Sequence, residues 1–299
     1  MSALNRLLVA SLPLVPKAIV GRVASRYVAG ETLEDALAAV RELNAKGAMA
    51  TIDVLGEEVR EREKAAAAVE EYVRVFAAIS RDGLDANVSI KLTLLGLKID
   101  QGFCRDNVER IALAARSHGN FVRIDMEDSS CTEPTLAIYR ELHARHGNLG
   151  VVLQAYMRRT LADVAALPAQ GASVRLCKGI YVEPREIAWK GYETVRANFV
   201  AALEKLLDQG VYVGIATHDE YLVERAATLI DKHRLPRDGY EFQMLLGVDP
   251  ALGRILLAAG HRLRVYVPYG HDWYPYSMRR LRENPEVARH VLRGMFAPR

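Results

Sequence analysis

Eight short apolar runs along the chain end in side chains that can do chemistry. Carboxylates, cations, an amide, an imidazole and a phenol stand at or near the last positions of these runs: Asp53, Lys91, Asp125, Gln154, Arg175, Lys178, His218 and Tyr266. The cations and the neutral donors among them can bind anions and stabilise charge that develops on a ligand. We therefore expect a site for an anionic, polar ligand where the ends of these runs meet.

A second group of polar residues recurs near the carboxyl end of the chain with helical spacing. Tyr276, Arg279, Arg280 and Glu283 stand at i, i+3, i+4 and i+7 within a helix predicted over 275–284, so they share one face. Two adjacent guanidiniums can grip one carboxylate by a fork that lysine cannot copy. The alternative is a solvated helix face with an i,i+4 ion pair.

The two strand-end lysines and the histidine have different alternatives. A lysine inside a sheet is costly unless it is paired or functional, and for Lys91 both interpretations stay open. For Lys178 we favour function, because the following Gly179 lets a ligand approach the backbone. His218, next to Thr217, is more typical of a hydrogen-bonded structural histidine.

Several common kinds of site are missing from the sequence. No HExxH occurs, no histidine pair has metal spacing, and the three cysteines, Cys104, Cys131 and Cys177, are scattered, so we expect no metal. GxGxxG after a strand, GxxxxGK[ST] and GxSxG are also absent. A nucleotide cofactor would therefore have to be held by loops at the strand ends.

The elements that must position these residues alternate between strand and helix. Strand-like runs lie at 48–56, 87–94, 120–127, 149–157, 173–181, 211–219, 241–247 and 263–270. Segments of helical period separate them, including one predicted over 185–208. Eight such units predict a parallel sheet closed into a (βα)8 TIM-type barrel, whose site lies at the carboxyl ends of the strands. In run three, Asp125 and Glu127 share a face by alternation.

The 299 residues fit one barrel with additions at both ends. We predict an N-terminal helical arm over 1–46, in which Thr32 and Asp35 form a capping box, and a catalytic barrel over 47–299 whose final helix covers the site. Few cysteines indicate a reducing, cytoplasmic location. The net charge of +3 is dispersed, which argues against nucleic acid. The apolar run at 7–16 predicts either packing on the barrel or a peripheral membrane contact.

The strand-end motifs, taken in order, resemble those of the proline dehydrogenase family. The similarity runs from about Gly47 to Asn284 and is carried by IKLTLLG, RIDMEDS, VVLQAY, VRLCKGIY, IATHD, YEFQMLLG, RVYVPYG and MRRLREN. It is strongest to short, single-function bacterial members, because the regulatory and aldehyde-dehydrogenase parts of proline utilization A proteins are missing. Cys177 stands where family members often carry an aliphatic residue.

The resemblance implies a flavoprotein that oxidises L-proline to 1-pyrroline-5-carboxylate with non-covalent FAD. Arg279, Arg280 and Lys91 would then clamp the substrate carboxylate, and Glu283 would orient the arginines. Around the proline ring it implies Leu245, Tyr266 and Tyr276. Near the flavin it implies Arg175, oriented by Asp125, together with Gln154, Lys178, Gly179, Tyr181, Thr217 and His218.

Partners also follow from the resemblance. It implies a membrane quinone as electron acceptor, and a 1-pyrroline-5-carboxylate dehydrogenase as the pathway partner. Two rival functions stay open on the residues alone. One is a Schiff-base aldolase that uses Lys91 or Lys178 as its amine, and the other is an amino-acid sensor that uses the arginine clamp without redox chemistry.

Overall fold

The computed structural model describes residues 20–21, 25–167, 171–274 and 276–278. Eight parallel strands form a closed barrel in sequence order, and β1 pairs with β8. The strands are β1 Met49–Val54, β2 Ala86–Ile90, β3 Val122–Ile124, β4 Leu149–Gln154, β5 Ser173–Cys177, β6 Tyr212–Ala216, β7 Tyr240–Leu245 and β8 Leu263–Tyr269. The chain therefore has the predicted (βα)8 TIM-type fold.

Within the described ranges, residues 20–21 are helical, a longer helix lies just before the barrel, and one helix follows each of the first seven strands. They are α1 Leu33–Ala45, α2 Arg62–Arg81, α3 Gln101–Ser117, α4 Ser129–His146, α5 Thr160–Ala165, α6 Tyr192–Asp208, α7 Glu220–His233 and α8 Pro250–Ala258. After β8, residues 273–274 and 276–278 are helical. This agrees with the start of the predicted final helix, while Arg279, Arg280 and Glu283 lie outside the described residues.

The outer face of the barrel carries the apolar core. Outward residues of the strands, such as Ile52, Val88 and Val151, are fully buried under the helices. Helix α1 contributes Leu37 and Val40 to the same core and packs against β1 and β8. The division into an arm over 1–46 and a barrel over 47–299 stays a prediction.

The predicted capping box is present at the start of α1. The side chain of Thr32 accepts from the backbone N–H of Asp35 at 3.2 Å, and the Asp35 carboxylate accepts from the backbone N–H of Thr32 at 3.0 Å. These two bonds satisfy amide groups that a helix start leaves without partners. They fix where the chain turns into α1 just before it enters the barrel.

One helix prediction was wrong at its start. The segment predicted over 185–208 becomes helical only at Tyr192, because residues 187–189 pair with the chain that follows β4. Arg158 N–H donates to the Ile187 carbonyl at 2.9 Å, and Trp189 N–H donates to the Tyr156 carbonyl at 2.8 Å. Residues 178–191 therefore form a long loop at the carboxyl end of β5.

The inside of the barrel is polar rather than aliphatic. Near the amino ends of the strands, Arg264 donates to Glu241 at 2.8 Å, and Arg123 donates to Ser173 Oγ at 2.8 Å. The side chains of both pairs are buried. Because a buried charge is costly unless it is paired and hydrogen-bonded, these two bonds offset part of the cost of burying the polar layer at the bottom of the barrel. No helix in the described ranges is long and apolar enough to cross a bilayer.

Candidate active site

A cavity of about 640 Å³ opens at the carboxyl ends of the strands. Fifteen residues were predicted for the site, and every one that the structure describes lines this cavity. These residues are Lys91, Asp125, Gln154, Arg175, Lys178, Gly179, Tyr181, Thr217, His218, Leu245, Tyr266 and Tyr276. The remaining three, Arg279, Arg280 and Glu283, fall in the part of the chain that is not described.

The ammonium group of Lys91 is held on the β1 side of the cavity. It donates to both carboxylate oxygens of Asp53, at 2.6 and 2.7 Å, and to the hydroxyl of Tyr266 at 3.2 Å. Asp53 is fully buried. Burial by itself lowers the pKa of Lys91, but the carboxylates of Asp53 and Asp125 outweigh it and raise the pKa above its ordinary value. Lys91 is therefore a fixed cation.

Asp125 joins the two buried cations, Lys91 and Arg175. It accepts from Arg175 Nη1 at 2.6 Å and from the Tyr266 hydroxyl at 2.8 Å, and Ser89 Oγ donates to it at 3.1 Å. Burial, together with the Asp125 carboxylate, raises the pKa of Tyr266 well above its ordinary value. The phenol therefore stays a neutral donor that bridges Lys91 and Asp125. We call Lys91, Asp125, Arg175 and Tyr266 the inner wall.

Tyr276 is fixed by the segment that precedes α1. It is 5% exposed and packs with Val28 and Leu55, in a cluster that Trp273 also contacts. Residues 25–30, the N-terminal strap, cross the barrel end beside β7 and β8. Ala29 N–H donates to the Pro268 carbonyl at 2.9 Å, which attaches the strap to β8. Through Val28, the strap also packs against Tyr276 at the start of the final helix.

The strap passes so close to the β7–α8 loop that only glycine fits there. Gly247 has φ +72°, and a Cβ at this position would lie 1.8 Å from the carbonyl oxygen of Arg26. A second backbone bond ties the strap to the end of β8, where Gly270 N–H donates to the Gly30 carbonyl at 3.0 Å. The strap is thus part of the cavity's supporting frame.

The opposite side of the cavity is more exposed. Lys178 donates to Asp219 at 3.1 Å, and Asp219 also accepts from the Tyr192 hydroxyl and from Arg196. Burial would raise the pKa of Asp219, but the bonds from Arg196, Lys178 and Tyr192 hold it well below its ordinary value. Ile180 and Tyr192 are 40% and 56% exposed. We call Lys178, Ile180 and Tyr192 the outer wall.

The ends of β4 and β6 place amide and imidazole groups between the two walls. Gln154 Nε2 donates to the Glu127 carbonyl at 2.9 Å, which fixes the orientation of its amide. His218 Nε2 accepts from Leu245 N–H at 3.0 Å, so in the neutral ring the proton lies on Nδ1. The bond from Leu245 fixes the ring beside the cavity, so His218 has both a structural partner and a position in the site.

The comparison with protein families identifies the chain. A family model described as proline dehydrogenase matches residues 36–293. The chain belongs to the proline dehydrogenase family. This confirms the similarity seen in the strand-end motifs, and the matched residues include both walls of the cavity as well as Arg279, Arg280 and Glu283.

Curated relatives agree with membership of the proline dehydrogenase family. The chain is 38% identical over 273 residues to proline dehydrogenase 1 of Bacillus subtilis subsp. natto, and 36% identical over 278 residues to the proline dehydrogenase of Deinococcus radiodurans. Each match covers 91% of this chain and 90% of the relative. Bifunctional protein PutA of Escherichia coli is 28% identical, and the match covers 94% of this chain but 25% of that protein.

A solved structure supports the fold of this proline dehydrogenase family member. Proline utilization A from Bdellovibrio bacteriovorus, inactivated by N-propargylglycine, superposes with a TM-score of 0.82 at 23% identity over 88% of this chain. The chain spans about a third, 32%, of that structure's length. At this identity the likeness concerns the barrel alone.

Four residues in or beside the cavity had not been predicted from the sequence. Asp53 was noted as a strand-end carboxylate but not as the partner of Lys91, while Asp219, Tyr192 and Gln243 were not noted as site residues. All but Asp53 line the cavity. A signal existed for Gln243, which lies two positions before Leu245 and so shares its face of β7. Tyr192 had none, because its position depends on the 178–191 loop.

Proposed function

We propose that the protein oxidises L-proline to 1-pyrroline-5-carboxylate with non-covalently bound FAD, the first step of proline catabolism to glutamate. The observation that carries the proposal is the inner wall, where two buried cations and a neutral phenol are preset around Asp125. Membership of the proline dehydrogenase family and relatives with that name support it.

The donors of the cavity fit a large anionic cofactor. Strands β4 to β6 contribute an amide, a guanidinium, an ammonium, a hydroxyl and an imidazole, and the volume lies within the roughly 300–1,000 Å³ typical of ligand sites. We assign FAD to the residues that supply these groups: Gln154, Arg175, Lys178, Gly179, Tyr181, Thr217 and His218. When bound, FAD would supply a ring that accepts a hydride from the carbon beside the proline nitrogen.

The chain's own groups would hold the substrate in place. Lys91, with Arg279 and Arg280, would bind the proline carboxylate, and Glu283 would orient the arginines. Leu245, Tyr266 and Tyr276 would pack against the ring. Because Asp53 pairs with Lys91, the cation would lie at a fixed position beside the substrate carboxylate without being an isolated buried charge.

Arg175 and Asp125 would act beside the cofactor. Asp125 fixes Arg175 through Nη1, and a guanidinium held in this way stabilises negative charge without reorganising during the reaction. The final helix, which begins near Tyr276, would close over the substrate and exclude water. Identical protease protection of that helix with and without a proline analogue would contradict closure.

A visible spectrum of the purified protein, followed by anaerobic addition of L-proline, tests cofactor and substrate together. We expect a flavin spectrum that bleaches with proline. A colourless protein that FAD cannot reconstitute, or a spectrum that proline leaves unchanged, would contradict the proposal.

Replacement of Arg280 by lysine tests the carboxylate clamp separately. Arg280→Lys should raise the KM for proline by about tenfold or more while flavin stays bound, because lysine lacks the fork geometry. Wild-type kinetics in this variant would exclude the clamp.

The geometry disfavours a Schiff-base aldolase. Such an enzyme needs a neutral amine, whereas Asp53 and Asp125 raise the pKa of Lys91, and Lys178 is paired with Asp219. Borohydride trapping with a carbonyl substrate would reveal the aldolase. An amino-acid sensor would instead bind proline without carrying flavin.

For the remaining partners we propose a quinone as electron acceptor, transient contact with the inner face of the membrane, and a 1-pyrroline-5-carboxylate dehydrogenase that consumes the product. The family resemblance supports these assignments. Vesicle flotation of the full chain tests membrane contact, and quinone-dependent bleaching and reoxidation of the flavin tests the acceptor.

A further inference from the structure

Gln243 lies at the floor of the cavity and connects the inner wall with the buried layer beneath it. Its side chain is on β7 and is 6% exposed. The amide oxygen accepts a hydrogen bond from Nε of Arg175, while Nε2 donates to Oε1 of Glu241 at 2.5 Å. Gln243 is therefore the side chain that joins Arg175 to the lower layer.

The lower layer dictates which way the amide of Gln243 points. Burial would raise the pKa of Glu241, but Arg264 and the bonds from Gln243 and Tyr212 outweigh it and lower the pKa. An ionised carboxylate only accepts hydrogen bonds. The NH₂ end of Gln243 must therefore face Glu241, which leaves its carbonyl oxygen for Arg175.

The neighbouring strand leaves room for this amide. Gly214 on β6 has no side chain, and a Cβ there would lie 2.3 Å from Nε2 of Gln243 and 2.8 Å from its Cδ. An alanine at this position would force the amide to move. The barrel thus has a space shaped for Gln243 in its bonded orientation.

The two bonds to Arg175 fix the guanidinium plane. Asp125 holds Nη1, Gln243 holds Nε, and the group lies 5.2 Å from the centre of the Tyr266 ring. Among the residues that the structure describes, Nη2 of Arg175 has no protein partner, and Arg175 lines the cavity. With one bond alone, the guanidinium could rotate about its contact with Asp125.

We infer that Gln243 is a positioning residue for Arg175, and that Glu241 and Arg264 serve as its fixed anchor. This inference rests on the proposed function and deepens it, because Arg175 is the residue assigned to the reacting side of the cofactor. Gln243 acts through Arg175 and not on the substrate.

A double-mutant cycle on the flavin-loaded enzyme tests the inference. Gln243→Met keeps the side-chain length and removes both bonds, and Arg175→Lys removes Nε but keeps the charge. We expect Gln243→Met to lower kcat by about tenfold with KM for proline changed less than about threefold, and the double variant to match Arg175→Lys within about threefold. Losses that multiply in the double variant would overturn the inference.

Two more variants separate positioning from loss of stability. Gly214→Ala displaces the side chain of Gln243 but keeps the residue. Like Gln243→Met, it should lower kcat. Thr51→Val removes a comparable interior bond, from Thr51 to Asn87 at 2.6 Å, on the far side of the barrel. It should leave kcat unchanged. An equal loss of kcat in Thr51→Val would overturn the inference.

A measurement that needs no turnover distinguishes this inference from the proposed function. In the purified protein, the Arg175 Nε–H signal can be assigned by NMR through its loss in Arg175→Lys. We expect its exchange with solvent to be at least about tenfold faster in Gln243→Met. Unchanged exchange overturns the inference even if proline is oxidised, whereas failure of the wild type to oxidise proline overturns only the proposed function.

Discussion

The two walls of the cavity use similar residue types in opposite ways. On the inner wall, Lys91 and Arg175 have side chains that are 8% and 9% exposed, and each is bonded to a carboxylate inside the barrel. On the outer wall, Lys178 is 35% exposed and Tyr192 is 56% exposed. The side chains of the inner wall are thus fixed by buried ion pairs, while those of the outer wall are exposed and can contact a ligand over a larger area.

The difference matches the sizes of the two ligands that we propose. A small imino acid has few atoms by which to be recognised, so its orientation depends on charges that are already fixed. A dinucleotide extends over many contacts and tolerates weaker single ones. Changes on the inner wall should therefore cost stability and catalysis, and changes on the outer wall should cost mainly cofactor affinity.

The largest effect is expected at the inner ion pair. Lys91→Met leaves Asp53 buried without its cation, which should lower the free energy of unfolding by about 3–5 kcal/mol and nearly abolish proline oxidation. Urea unfolding measures the first effect. The double variant Asp53→Leu with Lys91→Met should recover much of the stability but none of the activity, and a double variant as unstable as the single one would contradict this account.

Loss of the bridging phenol should come next. Tyr266→Phe removes the hydroxyl that joins Lys91 to Asp125, so we expect kcat/KM for proline to fall by about tenfold to a hundredfold. FAD affinity, measured by fluorescence titration of the apoprotein, should stay near the wild-type value. A fall in FAD affinity equal to the fall in kcat/KM would show that the inner wall also binds the cofactor, which would contradict the separate roles proposed for the two walls.

The outer wall should respond in the reverse manner. Lys178→Met should weaken FAD binding by about tenfold, since it removes one charge-assisted donor, and should change the free energy of unfolding by less than about 1 kcal/mol. Titration of the apoprotein with FAD gives the first value. Tight FAD binding with a raised KM for proline would reassign Lys178 to the substrate.

The smallest effect concerns the acid stability of Asp219, the carboxylate that binds Lys178 and Tyr192 of the outer wall. The pKa of Asp219 is lowered in the folded protein, so its ion pairs contribute fully above the unfolded pKa of about 4 and are lost as the pH falls below it. Asp219→Asn should lower the free energy of unfolding at pH 7, but by less than Lys91→Met does, because Lys178 and Arg196 are partly exposed to water. This difference should shrink below about pH 4. A difference that grows with acidity would contradict the assignment.

The barrel could be predicted because its signal is local. Apolar runs of strand length alternate with segments of helical period, and all eight strands appear in the predicted places. The runs were predicted too long at their carboxyl ends, as in run three, where β3 ends at Ile124 and the chain continues into a loop in which Met126 and Glu127 stay buried. The alternation of Met126 with Asp125 and Glu127 continues the pattern of a strand beyond the end of β3.

Residues that line the cavity could be predicted from the sequence, but their hydrogen-bond partners could not. Alternation and the family motifs select Lys91, Asp125 and Arg175. Neither indicates that Asp53, 38 positions earlier in the chain, neutralises Lys91. The outer wall was harder still, because residues 187–189 have the composition of a helix and are drawn instead into pairing with residues 156–158. Long-range contacts of this kind produce no periodic pattern in the amino-acid sequence.

The bonds between the N-terminal strap and the end of β8 have a consequence for biosynthesis. About 240 further residues must be synthesised after the strap before its hydrogen-bond partners, Pro268 and Gly270, leave the ribosome. Until then β1 also lacks its neighbour β8, so the ribosome-bound chain exposes an open sheet edge. A chain truncated before β8 could not close the barrel. We therefore expect it to bind chaperones through its open sheet edge, and not to fold into an enzyme of reduced activity.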